Sequence, residues 1–360
     1  EQDRNHMEHA LRLAEGAKGK TFPNPAVGAV VVKKGKVVGK GATDVCGKDH
    51  AEKQALKDAK EHAQGATLYL TLEPCNHFGR TPPCTHDIID AGIKRVIIAL
   101  KDPNPLVNGR GIRYLRRNKV DVSIGLLRKE ASELNEDFFW SVTRNLAWIS
   151  LKLALTFDGK IADVYGDSKW ITNKKARTFV HDIRRRHAAV AIGRGTLEKD
   201  NPQLSVRYVR GKSPVKFVFS SKNNFQGNSH FIKEANKIRS IIVLSGGKKG
   251  QKKIDPSGIE LWYTGTRKTP HNLLTFMEMA YKEGLTSILV EGGQQLASSF
   301  LEHKLVNRLY LFYGNRMLGK GIDGVSFSKG LKIKKGIQLI GTKTYCFDDN
   351  MMVTGIPNWK

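Results

Sequence analysis

Residues 7–14 (Met-Glu-His-Ala-Leu-Arg-Leu-Ala) place apolar side chains at helical spacing, and Gly28 to Val38 then changes to a strand pattern broken by Lys34-Gly35-Lys36. A helix followed by a β-hairpin is predicted. Between them Pro23-Asn24-Pro25 reads as a loop, because each proline holds the residue before it in extended geometry. The pattern continues with a helix over Lys53 to Ala63, a strand over Thr67 to Leu72 and a short helix after Cys84. A strand over Arg95 to Leu100, a helix near Ile112 to Arg117 and a strand over Val120 to Ile124 follow. One long helix, Arg128 to Thr143, closes this half.

Arg144-Asn145 is the expected linker, which divides the chain into domains 1–145 and 146–360. Beyond it the spacing predicts strands over Trp148–Thr156, Ala188–Ile192, Val215–Ser220, Ser240–Leu244, Ser287–Glu291 and Arg308–Tyr313. Helices are predicted over Lys174–Arg186, Leu273–Glu283 and Gln294–Glu302. Strands alternating with helices through both halves imply α/β layers with largely parallel sheets after the first hairpin. No apolar run reaches the roughly 18 residues of a membrane span, and Glu1 to His9 is too polar for a signal peptide. A cytoplasmic protein is expected.

The chemistry concentrates in His50-Ala51-Glu52 and in Pro74-Cys75 to Cys84. One imidazole and two thiolates suit tetrahedral zinc, and three protein ligands leave the fourth position for water. Glu52, two residues from His50, can serve as a proton shuttle only if the pair sits at the start of a helix, since side chains two apart diverge within one. H-x-E followed by P-C and a second Cys is the pattern of zinc-dependent base deaminases. A purely structural zinc needs a fourth protein ligand, for which His77 and Cys46 are the candidates, and it gives Glu52 no task.

Composition adds a charge asymmetry. The chain of 360 residues is 40 % hydrophobic and 26 % charged, ordinary for a globular protein, and its four cysteines are too few for a disulfide framework. Of the net charge of +26, residues after 146 carry +20, from 36 Lys and Arg against 16 Asp and Glu. The basic residues come as scattered pairs and triplets without a sustained basic-aromatic stripe, so most are expected to be solvated surface charge, and the functional part expected of them is attraction of phosphorylated small molecules.

In the second half no G-x-G-x-x-G follows a strand, so a Rossmann nucleotide site is not supported. Gly292-Gly293 between a predicted strand and helix offers instead a backbone approach for a cofactor phosphate. Gly193-Arg194-Gly195-Thr196 reads as a second glycine loop, followed by Asp200 to Arg207 with an arginine at its end.

Pro23-Asn24-Pro25 with Val27 to Val30, His50-Ala51-Glu52, the Cys75 to Cys84 loop containing Gly79-Arg80-Thr81-Pro82-Pro83, and Asp102-Pro103-Asn104-Pro105 together resemble the bifunctional riboflavin-biosynthesis deaminase/reductases, end to end. The resemblance implies a cytidine-deaminase-like three-layer domain followed by an α/β domain similar to dihydrofolate reductase. It implies zinc-dependent deamination of 2,5-diamino-6-(5-phosphoribosylamino)pyrimidin-4-one, with Glu52 catalytic and His50, Cys75 and Cys84 on the metal. NADPH-dependent reduction of the ribosyl side chain to ribityl follows. The cofactor contacts it implies are Ala154, Trp170, Thr196, Asp200, Ser221 and the run Gly293, Gln294, Gln295, Leu296, Ala297, Ser298, Ser299. The substrate contacts are Asn24, Lys152, Ser168, Arg184, Leu204, Arg207 and Glu291.

Physically, Arg184 and Arg207 are expected to grip a phosphate through the guanidinium fork, and Glu291 to accept from sugar hydroxyls. A homo-oligomer, dimer or tetramer, is expected, with no membrane or nucleic-acid partner. Three departures from the family pattern stand out: Thr43 in place of His, Ser220 in place of Asp, and Thr156-Phe157 in place of Ser-Leu. The competing readings are a zinc deaminase acting on a nucleic-acid base, and a binding module whose zinc is structural.

Overall fold

Glycines on the second strand decide how the first helix–sheet layer closes. A Cβ on Gly39 would meet the Ala55 carbonyl oxygen at 2.3 Å, and one on Gly41 would meet that of Ala51 at 2.3 Å. Only glycine lets helix Ala51–Ala59 lie this close to strand Lys36–Ala42. On strand Gly28–Lys33, a Cβ on Gly28 would meet the Ala10 carbonyl of helix Gln2–Ala17 at 1.9 Å. Gly28 alternates with Ala29 and Val31, the register partners of Gly41 and Gly39, so the two helices cover opposite faces of the sheet. The result is a helix–sheet–helix sandwich.

The computed structural model describes residues 1–77, 82–222, 228–265 and 272–359. The chain folds as two compact units, Glu1–Asn145 and Leu146–Lys360. In the first, a five-stranded sheet runs in the order Lys36–Ala42, Gly28–Lys33, Thr67–Leu70, Arg95–Ile98, Asp121–Ile124. The first two pairings are antiparallel and the last two parallel. Its core is aliphatic, built on Val30, Leu68, Leu70, Val96 and Ile98.

In place of one helix over Arg128 to Thr143 there are two, Arg128–Leu134 and Glu136–Arg144. The break is Asn135, whose buried amide accepts from Ala26 N at 2.9 Å and donates to Ala26 O at 2.8 Å. A side chain that replaces a backbone ladder for a distant loop cannot be seen in local periodicity. Thr43, at the end of the second strand, accepts from Val27 N at 3.0 Å and fixes the same loop from the other side.

The second unit holds a sheet of ten strands among the described residues, with seven parallel neighbours, from Glu260–Tyr263 to Arg308–Tyr313, at its centre. Strand Lys252–Ile254 pairs antiparallel at one edge. At the other, the hairpin Gln338–Phe347 and Asn350–Asn358 adds two antiparallel strands that periodicity does not indicate. The outer strand is exposed along nearly its whole length, so it lacks the alternation by which a half-buried strand is read. The Gly193 to Thr196 segment, expected as a glycine loop, begins helix Arg194–Asp200. No helix among the described residues is long and apolar enough to cross a membrane.

Candidate functional site

His50 caps helix Ala51–Ala59 in extended backbone geometry, and Glu52 lies in the helix's first turn. That placement lets two side chains that would diverge inside a helix turn to one side. Cys84 opens helix Cys84–Asp90, and its N–H approaches the Cys75 sulfur at 3.4 Å. Thr85 stitches the loop's two ends together, its amide donating to Cys75 O at 3.3 Å and its hydroxyl to Asn76 Oδ1 at 2.7 Å. The Phe78–Thr81 part of this loop, including Gly79-Arg80-Thr81, lies outside the described residues.

The His50 Nδ1 atom stands 3.2 Å from Cys84 Sγ and 3.7 Å from Cys75 Sγ. Ligand atoms on a tetrahedral zinc lie about 3.6 Å apart, so the one-nitrogen, two-sulfur set fits that ion without rearrangement. His50, Cys75 and Cys84 are the one such group among the described residues, and neither His77 nor Cys46 joins it. Three ligands beside a buried carboxylate are the arrangement of an open, catalytic site.

The groups polarise one another. Hydrogen bonding from Cys84, opposed by burial and aided by His50, pulls the Cys75 thiol down to about 4, while the same bond and burial drive Cys84 upward. Hydrogen bonding to Cys75 lifts His50 to about 9 against the effect of burial. Burial pushes Glu52 up to about 7, the Cys75 charge adds to it and His50 opposes it. A buried carboxyl beside the ligand set stands where it can take a proton from a water there and return it.

Glu73, next to Pro74-Cys75, is a buried carboxylate that organises the backbone beside the site and that no sequence signal singles out. Its two oxygens accept from the amides of Asp102 (3.2 Å), Gly109 (2.9 Å) and Ile112 (3.2 Å). The Asp102–Ile112 segment is thereby tied to the residue that precedes the zinc loop. Asp102 is itself buried, which raises its carboxyl to about 6. Asn24 is half-buried in the Thr21–Asn24 turn, where its carbonyl accepts from the Thr21 hydroxyl at 2.8 Å.

The second unit contains a cavity of 1180 Å³ along the C-terminal ends of its parallel strands. That exceeds the ordinary range for a single small ligand, about 300–1,000 Å³, and admits a dinucleotide together with a sugar phosphate. Of the sequence candidates, Lys152, Ala154, Ser168, Trp170, Arg184, Thr196, Asp200, Leu204, Arg207, Ser221, Glu291, Gly293, Gln294, Gln295, Leu296 and Ser299 line it. Ala297 and Ser298 do not. Both are buried in helix Gln294–Glu302, and the Ser298 hydroxyl accepts from Ser326 N at 2.8 Å. Gly293 precedes that helix, and a Cβ there would sit 3.3 Å from Thr196 Oγ1, another residue of the cavity lining.

Arg184 departs from the expected open fork. Its Nε and NH2 donate to Glu291 Oε1 (2.7 Å) and Oε2 (3.1 Å), and its NH1 donates to Ser205 O at 2.6 Å. The guanidinium is committed to protein, and Glu291 keeps only its remaining lone pairs for a ligand. Burial would raise Glu291, but the Arg184 and Lys152 charges bring it down to about 2. Lys152, its register partner on the adjoining strand, is held below the usual lysine range by burial. Arg207 is exposed at the cavity wall, with NH1 3.1 Å from Ser205 Oγ. Trp170 is 61 % exposed, with the Arg177 guanidinium 4.3 Å above its ring, so it forms the cavity's rim and not its core.

Sequence reasoning also misses His181, which is buried in this wall and accepts from Arg207 N at 3.0 Å. No spacing signal marks it, since a lone His on a helix looks the same in a core. Thr156 closes the Thr156–Lys160 turn, its hydroxyl donating to Asp158 at 2.6 Å, and Phe157 is exposed.

The model described as the cytidine and deoxycytidylate deaminase zinc-binding region matches residues 1–100, and that of the RibD C-terminal domain matches residues 147–352. Riboflavin biosynthesis protein RibD of Aquifex aeolicus is 41 % identical over 339 residues, 92 % of this chain and 94 % of its own length. That of Escherichia coli is 35 % identical, over 92 % of each chain. The crystal structure of a diaminohydroxyphosphoribosylaminopyrimidine deaminase/5-amino-6-(5-phosphoribosylamino)uracil reductase from Thermotoga maritima is similar at a TM-score of 0.87 and 35 % identity, covering 99 % of both chains. Acinetobacter baumannii RibD reaches the same TM-score at 29 % identity, again over 99 % of both chains.

Proposed function

Because the chain belongs to the RibD family of riboflavin-biosynthesis enzymes, we propose that its two activities divide at Asn145, with deamination in residues 1–145 and reduction in residues 146–360. The protein is a bifunctional deaminase and reductase acting on phosphorylated pyrimidines, with zinc and NADPH. The observation that carries the division is the distribution of side chains. His50, Glu52, Cys75 and Cys84 lie wholly in one unit and Lys152, Arg184, Arg207 and Glu291 in the other.

For the first unit, the substrate is 2,5-diamino-6-(5-phosphoribosylamino)pyrimidin-4-one. Zinc bound by His50, Cys75 and Cys84 supplies a water of lowered pKa. Glu52 takes a proton through its carboxylate and delivers it to the departing amine, and Asn24 holds the edge of the pyrimidine ring.

In the second unit NADPH would supply the hydride, and water the proton, by which ribosyl becomes ribityl. Gly293 and the first turn of helix Gln294–Glu302 receive the cofactor's diphosphate, with Ala154, Trp170, Thr196, Asp200 and Ser221 along its length. Arg207 meets the substrate phosphate, and Ser168 and Leu204 line its path. Arg184 acts through Glu291, holding that carboxylate charged and oriented toward the sugar alongside Lys152.

Two finer statements belong to the same proposal. The enzyme is cytoplasmic, where reducing conditions keep Cys75 and Cys84 available for metal. It is a homo-oligomer, because edge strand Gln338–Phe347 is open and carries Ile340 and Tyr345, 52 % and 40 % exposed, a template for a second chain. Light scattering of the purified protein checks the latter.

The division is tested with paired variants. Glu52→Gln should abolish deamination while reduction of supplied deaminated intermediate persists, and Glu291→Gln should do the reverse with zinc content unchanged. A folded Glu52→Gln protein that had lost both activities would end the proposal.

A further inference from the structure

The cavity's lining comes from the ends of several strands, and its chemistry differs from one strand to the next. Lys152 and Glu291 sit on adjoining strands, Trp148–Leu155 and Ser287–Glu291, and define where the sugar is reduced. Gly293, just past the second of these strands, marks the place for the cofactor's diphosphate. The nicotinamide half must reach the sugar. The adenosine half therefore runs the other way across the sheet, over the ends of strands Ala189–Gly193 and Val215–Ser220. Neighbouring strands are about 4.8 Å apart, so these ends lie roughly 5–10 Å from Gly293, within reach of an adenosine ribose.

What stands there is a cation among hydroxyls. Arg194 lines the cavity, its side chain 24 % exposed, and its NH1 donates to Ser220 Oγ at 3.4 Å. Ser220 is buried and closes the turn after its strand, accepting from Lys222 N at 3.1 Å, which leaves the Ser221 side chain at the cavity surface. The Arg194 Nε donates to Glu198 Oε1 at 2.6 Å, but that carboxylate is 55 % exposed, so water screens the pair and a competing anion can replace it.

We propose that Arg194, with Ser221 beside it, holds the 2′-phosphate of NADPH and is the residue by which this enzyme discriminates NADPH from NADH. The assignment rests on the cavity being the NADPH site. A guanidinium facing a doubly charged phosphate makes charge-assisted hydrogen bonds that a 2′-hydroxyl cannot match. Arg194 and Glu198 then act in opposition, one recruiting the phosphate and the other competing for the same guanidinium.

Equilibrium titrations with NADPH, NADH and 2′,5′-ADP, read by intrinsic and nicotinamide fluorescence, test this without turnover. Arg194→Gln should weaken NADPH and 2′,5′-ADP by about tenfold or more while NADH changes less than about twofold, as expected for loss of one charged hydrogen-bonding partner. Glu198→Gln should shift the NADPH-to-NADH ratio the other way, toward tighter NADPH. Equal weakening of NADPH and NADH in Arg194→Gln, or an unchanged ratio in either variant, would overturn the assignment. A wild-type protein that bound neither dinucleotide would instead overturn the reading of the cavity, and the assignment with it.

Discussion

Arg184 and Glu291 meet in the reductase cavity wall through one edge of the guanidinium, Nε and Nη2, at 2.7 and 3.1 Å, with side chains only 10 % and 12 % exposed. A buried pair of this kind costs most when one member is removed, because the other is left charged and unmatched. Arg184→Ala is expected to lower stability by about 3–5 kcal/mol, against much less for the exposed Arg207→Ala. Denaturant unfolding of the two variants makes the comparison.

His181, in the same wall, makes stability depend on pH. Burial, aided by the Arg184 and Arg207 charges and opposed by Glu291, brings it from 6.5 down to about 4. Protonation would convert the Nδ1 that accepts from Arg207 N into a donor. A depressed folded value means that the unfolded chain takes up the proton first, so stability is full above 6.5 and declines as the pH falls toward 4. The urea midpoint of wild type should fall across that window, and His181→Gln should flatten the curve there.

Metal analysis should find about one zinc per chain, as one tetrahedral site requires. The Cys75→Ala, Cys84→Ala double variant should lose it along with deamination. Zinc retained in that variant would place the metal elsewhere.

If Arg207 meets the substrate phosphate, Arg207→Ala should reduce kcat/KM for the phosphorylated intermediate by about tenfold or more, in line with a charged hydrogen bond. The dephosphorylated compound should be turned over poorly by wild type and about equally poorly by the variant. Comparable turnover of both compounds by wild type would remove this role.

Gly41→Ala forces a methyl group against the Ala51 carbonyl, displacing the helix that His50 caps. A loss of about 1–3 kcal/mol is expected from overpacking, together with weaker zinc retention under chelator. Thermal unfolding and metal content after dialysis measure the two effects.

The chain's own pattern already marks the group of His50, Cys75 and Cys84 that the fold brings together, with Glu52 beside it, as well as the α/β alternation and most of its elements. Each depends on residues close in the chain: a proline-flanked Cys, a His two before a Glu, apolar side chains at period 2 or 3.6. It also placed most of the cavity's lining, through family resemblance. The rest depends on contacts between residues far apart in the chain. Asn135 breaks a helix to bind Ala26, 109 positions away, and Glu73 gathers amides up to 39 positions on. Arg184 closes on Glu291 across 107 positions, so a fork that looked available for phosphate is used within the protein. Ser298 turns its hydroxyl to Ser326. Side-chain polar groups pair with whatever the fold brings within hydrogen-bond reach, and local periodicity carries no record of that partner.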